Sequence, residues 1–304
     1  MRLRLVDLDG NESMAAAAAE LGSDVHRLDC RDLGPRLRLW ATRSAFRDFA
    51  ERLAAAGEPP GNGPVLTLLG SGDYHHLTAV LLARVHEPFT LVHFDNHPDW
   101  VRFAPHHHCG AWVNRALELP SIARIITIGP CSSDLARPEL KGGNVAALAS
   151  GRLELYPWRH ADTTVLRRLG SSPCVRQQGR RLAWRNVGAD WSGFLEELHA
   201  RLPTKAIWFT IDKDVLRPAD AATNWDQGEM PLEALLDGIR RLARGRRVIG
   251  ADVCGDYSPA DFDGNLLKRI ESWQDHPPAP DAAARARNVA VNRAIIGALR
   301  ESMA

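Results

Sequence analysis

Three short segments of the chain carry side chains able to do chemistry. The first reads Leu91-Val92-His93-Phe94-Asp95-Asn96-His97-Pro98-Asp99-Trp100, with Asp95, His97 and Asp99 spaced i, i+2, i+4 behind an apolar run. In extended chain alternate side chains share a face, so two carboxylates and an imidazole would converge where Pro98 ends the strand. Such donors suit a metal ion; a polar turn with Asp95 as a helix cap is the plainer alternative. The second segment, Trp208-Phe209-Thr210-Ile211-Asp212-Lys213-Asp214-Val215, sets Asp212 and Asp214 directly after another apolar run. Paired charges there are costly unless something neutralises them, or one is driven towards its protonated form. A solvated turn explains an isolated Asp-x-Asp equally well. The third, Leu69-Gly70-Ser71-Gly72-Asp73-Tyr74-His75-His76-Leu77-Thr78, has glycines that permit a tight turn into a helix, with His75 and His76 at its start. Either His alone reads as a surface or capping residue.

Together the segments say more. The four carboxylates of Asp95, Asp99, Asp212 and Asp214, joined by neutral imidazoles, formally balance two divalent cations. Two such ions about 3.5–4 Å apart can share a hydroxide and bring its pKa towards neutrality. No cysteine lies within the strand-end triplets, so oxygen and imidazole donors favour Mn²⁺, with Fe²⁺ or Co²⁺ next, over structural Zn²⁺. The candidate ligands are Asp95, His97, Asp99, Asp212, Asp214 and one of His75 or His76.

These segments must be held by elements that end together. Short apolar runs at 3–8, 65–69, 89–94, 124–128, 206–211 and 248–253 read as strands buried on both faces. Amphipathic stretches at 44–55, 76–85, 110–119, 191–202, 231–243 and 282–299 read as helices, Pro231 and Glu233 marking a first turn. The alternation predicts an α/β fold, a three-layer, doubly wound and mostly parallel sheet, in which ligands bind outside the carboxyl ends of the strands. Residues 132–188 are less regular, and their arginines (Arg176, Arg180, Arg181, Arg185) read as a solvated surface loop before a basic patch. Trp100, Trp112 and Trp225 are candidates for a pocket wall, or for core packing.

Composition narrows the class. The 304 residues are 45% hydrophobic and 25% charged, with 38 Lys+Arg against 37 Asp+Glu, a net charge of +1. That balance argues against a nucleic-acid partner, whose footprint is a basic excess. No apolar run approaches the roughly 18 residues needed to span a bilayer, and the charged amino terminus is unlike a signal peptide. Five cysteines without a Cys-x-x-Cys pair suggest reduced thiols and a cytoplasmic protein. We expect one domain over 1–304 and a small-molecule substrate; a homo-oligomer is left open.

In order and spacing, the segments resemble the ureohydrolase family of arginases, agmatinases and formiminoglutamases. That family carries Gly-Gly-Asp-His after one strand, Asp-x-His-x-Asp after the next and Asp-x-Asp late in the chain. The matching residues are Gly72-Asp73-Tyr74-His75-His76, Asp95-Asn96-His97-Pro98-Asp99 and Asp212-Lys213-Asp214, and Gly250-Ala251-Asp252-Val253 is similar to the family's last sheet strand. The resemblance implies an arginase-like fold. It implies that Asp95 and Asp212 bridge two metals, that Asp99 and one of His75 or His76 complete the first, and that His97 and Asp214 complete the second. It implies a hydrolase that cleaves a C–N bond of a guanidino, amidine or amide substrate by attack of a hydroxide held between the metals. Three stretches depart from the pattern. Gly255 stands where the family places a guanidinium-binding glutamate, with Asp256 able to serve if the loop shifts by one residue. Pro105-His106-His107-His108-Cys109-Gly110 replaces the Asn-x-His-Gly element, leaving His106, His107 and His108 as candidates to protonate a leaving amine. Residues 222–231 replace a Gly-Thr-Gly-Thr-Pro-like stretch. The expectation is a kept metal centre, a rebuilt substrate pocket and poor use of free arginine. A single-metal deacetylase-like amidohydrolase and a non-catalytic metal-binding protein on the same fold remain alternatives; a metallophosphoesterase fits the motif order poorly.

Overall fold

A computed structural model describes residues 1–21, 25–102, 107–170 and 172–304. Eight strands form its central sheet: β1 (Arg2–Asp7), β2 (Val25–Asp29), β3 (Val65–Leu68), β4 (Phe89–Phe94), β5 (Ile122–Ile128), β6 (Leu153–Tyr156), β7 (Ala206–Asp212) and β8 (Arg247–Cys254). Their order is β2-β1-β3-β8-β7-β4-β5-β6, and every pairing is parallel. The four central strands β3, β8, β7 and β4 therefore bring their carboxyl ends side by side. Those ends lead into the three segments singled out above.

The predicted runs all lie in strands, because β3, β4 and β7 are buried at every position and must be apolar on both faces. The two strands without a legible signal, β2 and β6, are the sheet's edges. The sequence of β2, Val-His-Arg-Leu-Asp, is half exposed along its length, and β6 has only four residues, one of them Glu154.

Helices cover both faces. The principal ones are α1 (Glu12–Glu20), α2 (Arg43–Ala56), α3 (Thr78–Leu82), α4 (Trp112–Ala116), α5 (Trp191–Arg201), α6 (Leu232–Ala243), α7 (Leu266–Asp275) and α8 (Ala282–Ser302). Neighbouring residues of β4 point to opposite faces. Phe94 meets α6 at Gly238, whereas the His93 ring lies 5.2 Å from that of Trp112 in α4. On the α6 side, α8 packs against both α1 and α6, and α6 against α5. The predicted helices at 76–85 and 110–119 are shorter than expected. Each begins as a 3-10 turn, Gly72–Leu77 and Cys109–Ala111, before a single α-helical segment. The helices α1 and α7 have no counterpart in the expectation.

Residues 132–188 hold a small antiparallel sheet of Thr163–Thr164, Val175–Gln178 and Arg181–Trp184 where a loop was expected. Its arginines are a solvated face: Arg181 pairs with Asp162 and Arg185 with Glu197.

Candidate metal centre

The centre is built from two turns of the same design. Asp95 follows β4, and its Oδ1 accepts the His97 backbone N–H at 2.6 Å. Asp212 ends β7, and its Oδ1 accepts the Asp214 N–H at 3.0 Å. An Asp side chain that caps the N–H two residues on bends the chain locally, so Asp-x-His and Asp-x-Asp are turns, not extended chain. Asp99 then adopts a left-handed backbone, φ 48°, which Asp tolerates better than most residues. The acids converge by turning rather than by strand alternation, which corrects the extended spacing inferred from the sequence.

With Oδ1 held by the backbone, the other oxygen of each Asp is aimed inward. His75 Nδ1 lies 3.1 Å from Asp95 Oδ2, 3.4 Å from Asp99 Oδ2 and 3.6 Å from Asp212 Oδ2. All four residues are buried. A hydrogen-bond chain fixes the imidazole. Thr210 Oγ1 donates its only proton to Asp252 Oδ1, so it accepts from His75 Nε2 at 2.9 Å. Asp252 is itself anchored by Thr78 and Trp208. His75 Nδ1, which has no hydrogen-bond partner, thus presents a buried nitrogen to three carboxylates. Burial opposes a charge on that ring, but Cys254 and the facing carboxylates outweigh it and raise His75 well above its usual range, so the spot draws a positive charge, which a bound cation would supply.

A second donor group lies alongside. His97 Nδ1 is 2.9 Å from Asp214 Oδ2 and 3.6 Å from Asp95 Oδ1. Asp214 Oδ1 accepts the Asn96 N–H. Among the described residues, three groups have donor atoms close enough to hold a metal ion: His75, His93, Asp95 and Asp99; His75, Asp212 and Cys254; and Asp95, His97 and Asp214. His75 and Asp95 each belong to two.

The acids strain one another. Burial, then the Asp95 charge, pushes Asp99 up to about 6. Burial followed by the neighbouring carboxylates raises Asp212 and Asp214. Burial acts the same way on Asp95, but the neighbouring imidazoles, His93 foremost, outweigh it and hold that carboxyl well below its usual range. Glycine gives the acids room. A Cβ at Gly72 would lie 2.5 Å from Asp212 Oδ2.

Other candidates are placed elsewhere. His76 is buried, but it belongs to none of the donor groups, and its ring stacks towards Phe46 at 6.2 Å. Asp256 does not reach the cleft. It is fully buried in an ion pair with Lys213 and accepts from Asn292 at 2.8 Å. Gly255, at φ +94°, lets the chain pass so close to the centre that any Cβ would overlap Asp212 Oδ1 and the Lys213 nitrogen, so a glutamate cannot stand there. Of the three histidines proposed for proton transfer, His106 lies outside the described residues and His107 stacks on Phe46 at 3.9 Å. His108 lines the cleft, with both ring nitrogens engaged. Nδ1 accepts the Gly110 N–H at 2.9 Å, and Nε2 meets Glu271 at 2.6 Å.

The structure also shows residues that the sequence reading passed over. His93, two residues before Asp95 and so on its face, lies 2.8 Å from Asp95 Oδ2. Trp112, named above as a pocket-wall or core candidate, is buried outside the cleft lining and donates to Asp99 Oδ2 at 2.6 Å. Asp226 meets His97 Nε2 at 2.9 Å. Cys254, the last residue of β8, sits 3.2 Å from Asp212 Oδ2, a sulfur beside the oxygen and imidazole donors. A cleft of about 490 Å³ opens above the group, walled by His97, His108 and Trp225 with Asp134, Lys141 and Asp226 also lining it.

No protein-family model matches the chain. A protein of Thermotoga maritima described only as uncharacterized is 26% identical over 198 residues, 65% of this chain and 60% of that one. This chain therefore spans less than two-thirds of that relative's length. Among solved structures it is similar to arginase from Bacillus cereus (TM-score 0.60, 15% identity, 98% of each chain). It is also similar to agmatine ureohydrolase of Thermoplasma volcanium (TM-score 0.59, 14% identity, 99% of this chain and 89% of that one). A third is formimidoylglutamase from Bacillus subtilis (TM-score 0.58, 16% identity, 99% of this chain and 87% of that one). At these identities the likeness is one of fold. The chain has the ureohydrolase, or arginase, fold along nearly its full length, with buried His/Asp groups able to hold a metal.

Proposed function

We propose that this chain is a binuclear metal-dependent hydrolase cleaving a C–N bond of a guanidino, amidine or amide substrate. The observation that carries the reading is His75 Nδ1, buried and unpartnered, facing Asp95, Asp99 and Asp212 within 3.6 Å, on the fold of arginases and their relatives. His75, Asp95, Asp99 and Asp212 would hold one divalent ion, and His97 and Asp214, sharing Asp95 and Asp212, the other. Bound there, such ions would supply Lewis acidity and a water acidic enough to react near neutral pH.

The rest falls to the chain. The Thr210–Asp252 pair keeps His75 Nδ1 free as a donor. Asp226, on the far side of the His97 ring, orients that imidazole through Nε2. Burial opposes ionisation of Asp226, but the hydrogen bond from His97 outweighs it and holds the carboxyl below its usual range. Asp226 therefore stays ionised at neutral pH and presents a negative charge to the cleft. A cleft of about 490 Å³ suits a small molecule. Asp256 is spent on Lys213 and position 255 can hold only glycine, so a cationic group of the substrate would meet Asp226 instead. Among the described residues, no helix is long and apolar enough to cross a membrane. With five unpaired cysteines, the cytoplasm is the compartment we assign.

The test is release of urea or ammonia by metal-loaded protein from arginine, agmatine, shorter guanidino acids, amidines and amides. We expect turnover of at least one class, and for free arginine a kcat/KM below about 10⁴ M⁻¹s⁻¹, the lower end for ordinary enzymes. Full metal occupancy with no turnover of any class would instead mark a metal-binding protein without this activity.

A further inference from the structure

We propose that Cys254 is itself a metal ligand, its thiolate completing the donor set at the His75 position. The proposal rests on the reading of the cleft as a metal centre. It goes beyond that reading by placing one soft donor among hard ones.

The placement follows from β8. Residues 252 and 254 of that strand share a face. Asp252 on that face anchors Thr210, which holds His75, and Cys254 is one step further towards the strand end. Its Sγ lies 3.2 Å from Asp212 Oδ2, with no exposed surface. The donor atoms of Cys254, Asp212 and His75 lie within 4.8 Å of one another. The unpartnered His75 Nδ1 points independently to a cation at this spot. The next residue is Gly255, so its side chain cannot intervene between the thiol and the carboxylates. The other cysteines do not share this position. Cys109 lines the cleft beside His108, 3.8 Å from its Nδ1, and belongs to no donor group among the described residues. Cys131 faces the Gly129 carbonyl, and Cys174 faces Ser172.

In the absence of a cation the thiol S–H donates to Asp212. A divalent ion takes the sulfur as thiolate, and the displaced proton leaves to solvent. The consequence is selectivity. Three carboxylates and one imidazole suit Mn²⁺, whereas an added thiolate turns this position towards Co²⁺, Fe²⁺ or Zn²⁺.

Cobalt reports the bond directly. Metal-stripped full-length protein is titrated with Co²⁺ and its absorption spectrum recorded. The wild type is expected to show visible ligand-field bands together with a near-ultraviolet thiolate-to-cobalt charge-transfer band. Cys254→Ser and Cys254→Ala should keep the visible bands and lose the near-ultraviolet one, and Cys109→Ser should keep both. Cobalt bound by the wild type without the near-ultraviolet band, or a band that survives in both Cys254 variants, would overturn the proposal and leave the metal centre standing. A wild type that binds no cobalt would overturn the metal centre and the proposal together.

Discussion

Each carboxylate oxygen of Asp95 has its own task. Oδ1 holds the His97 backbone and Oδ2 faces His75 and His93, so this one side chain touches both donor groups. Asp95→Asn keeps the volume and can keep the turn through Oδ1, yet removes the charge. It should fold and lose measurable affinity for both ions by calorimetric titration. His76→Phe, which alters a ring stacked near Phe46, should bind metal as the wild type does. A second expectation concerns pH. In the metal-free protein Asp99 titrates at about 6 against 3.8 as its ordinary value, a difference worth on the order of 3 kcal/mol. Because the folded value is the higher one, that stability is fully present below about pH 4 and lost as pH rises through about 6. The raised Asp212 and Asp214 act in the same direction. Metal binding displaces those protons and strengthens as pH rises. The melting-temperature gap between metal-loaded and metal-free protein should therefore widen from pH 5 to 7.5. A gap that narrows would contradict the assignment of these acids as ligands.

At the scale of elements, the sequence was most legible where burial on both faces forces uniformly apolar strands. It was least legible at the edges, where β2 and β6 mix polar residues into short runs. Three segments of the centre could be found because Asp and His directly after an apolar run are conspicuous. Their geometry could not, because the Asp95 and Asp212 turns and the left-handed Asp99 are local backbone events. Cys254 and His93 were missed for a different reason. Within an apolar strand they read as ordinary core, and only the parallel order β3-β8-β7-β4 brings β8 beside the acids. The same order sends Asp256 behind the sheet end, between β8 and α8, where it pairs with Lys213 and Asn292. Removing one member of a buried ion pair strands the other and costs about 3–5 kcal/mol. Asp256→Ala should therefore lower stability by that order in denaturant unfolding, and the double variant Asp256→Leu with Lys213→Met should recover much of it. An Asp256→Ala protein of unchanged stability would refute the structural role given to this residue.

For the whole molecule, the sheet sets four acids at the floor of one cleft and places Asp226 and Asp134 in its lining, with Lys141 near Asp134. Two divalent ions would neutralise the floor, which leaves Asp226 to select charge. Asp226→Asn should accordingly raise KM for cationic guanidino or amidine substrates more than for neutral amides, in steady-state kinetics on a matched pair. Equal effects on both would remove Asp226 from substrate recognition. The count of ions on the floor bears most directly on the account. Protein stripped of metal, loaded with Mn²⁺ or Co²⁺, dialysed and analysed for elemental content should retain about two ions per chain, as the balance of four carboxylates requires. Less than half an ion per chain would contradict the binuclear centre.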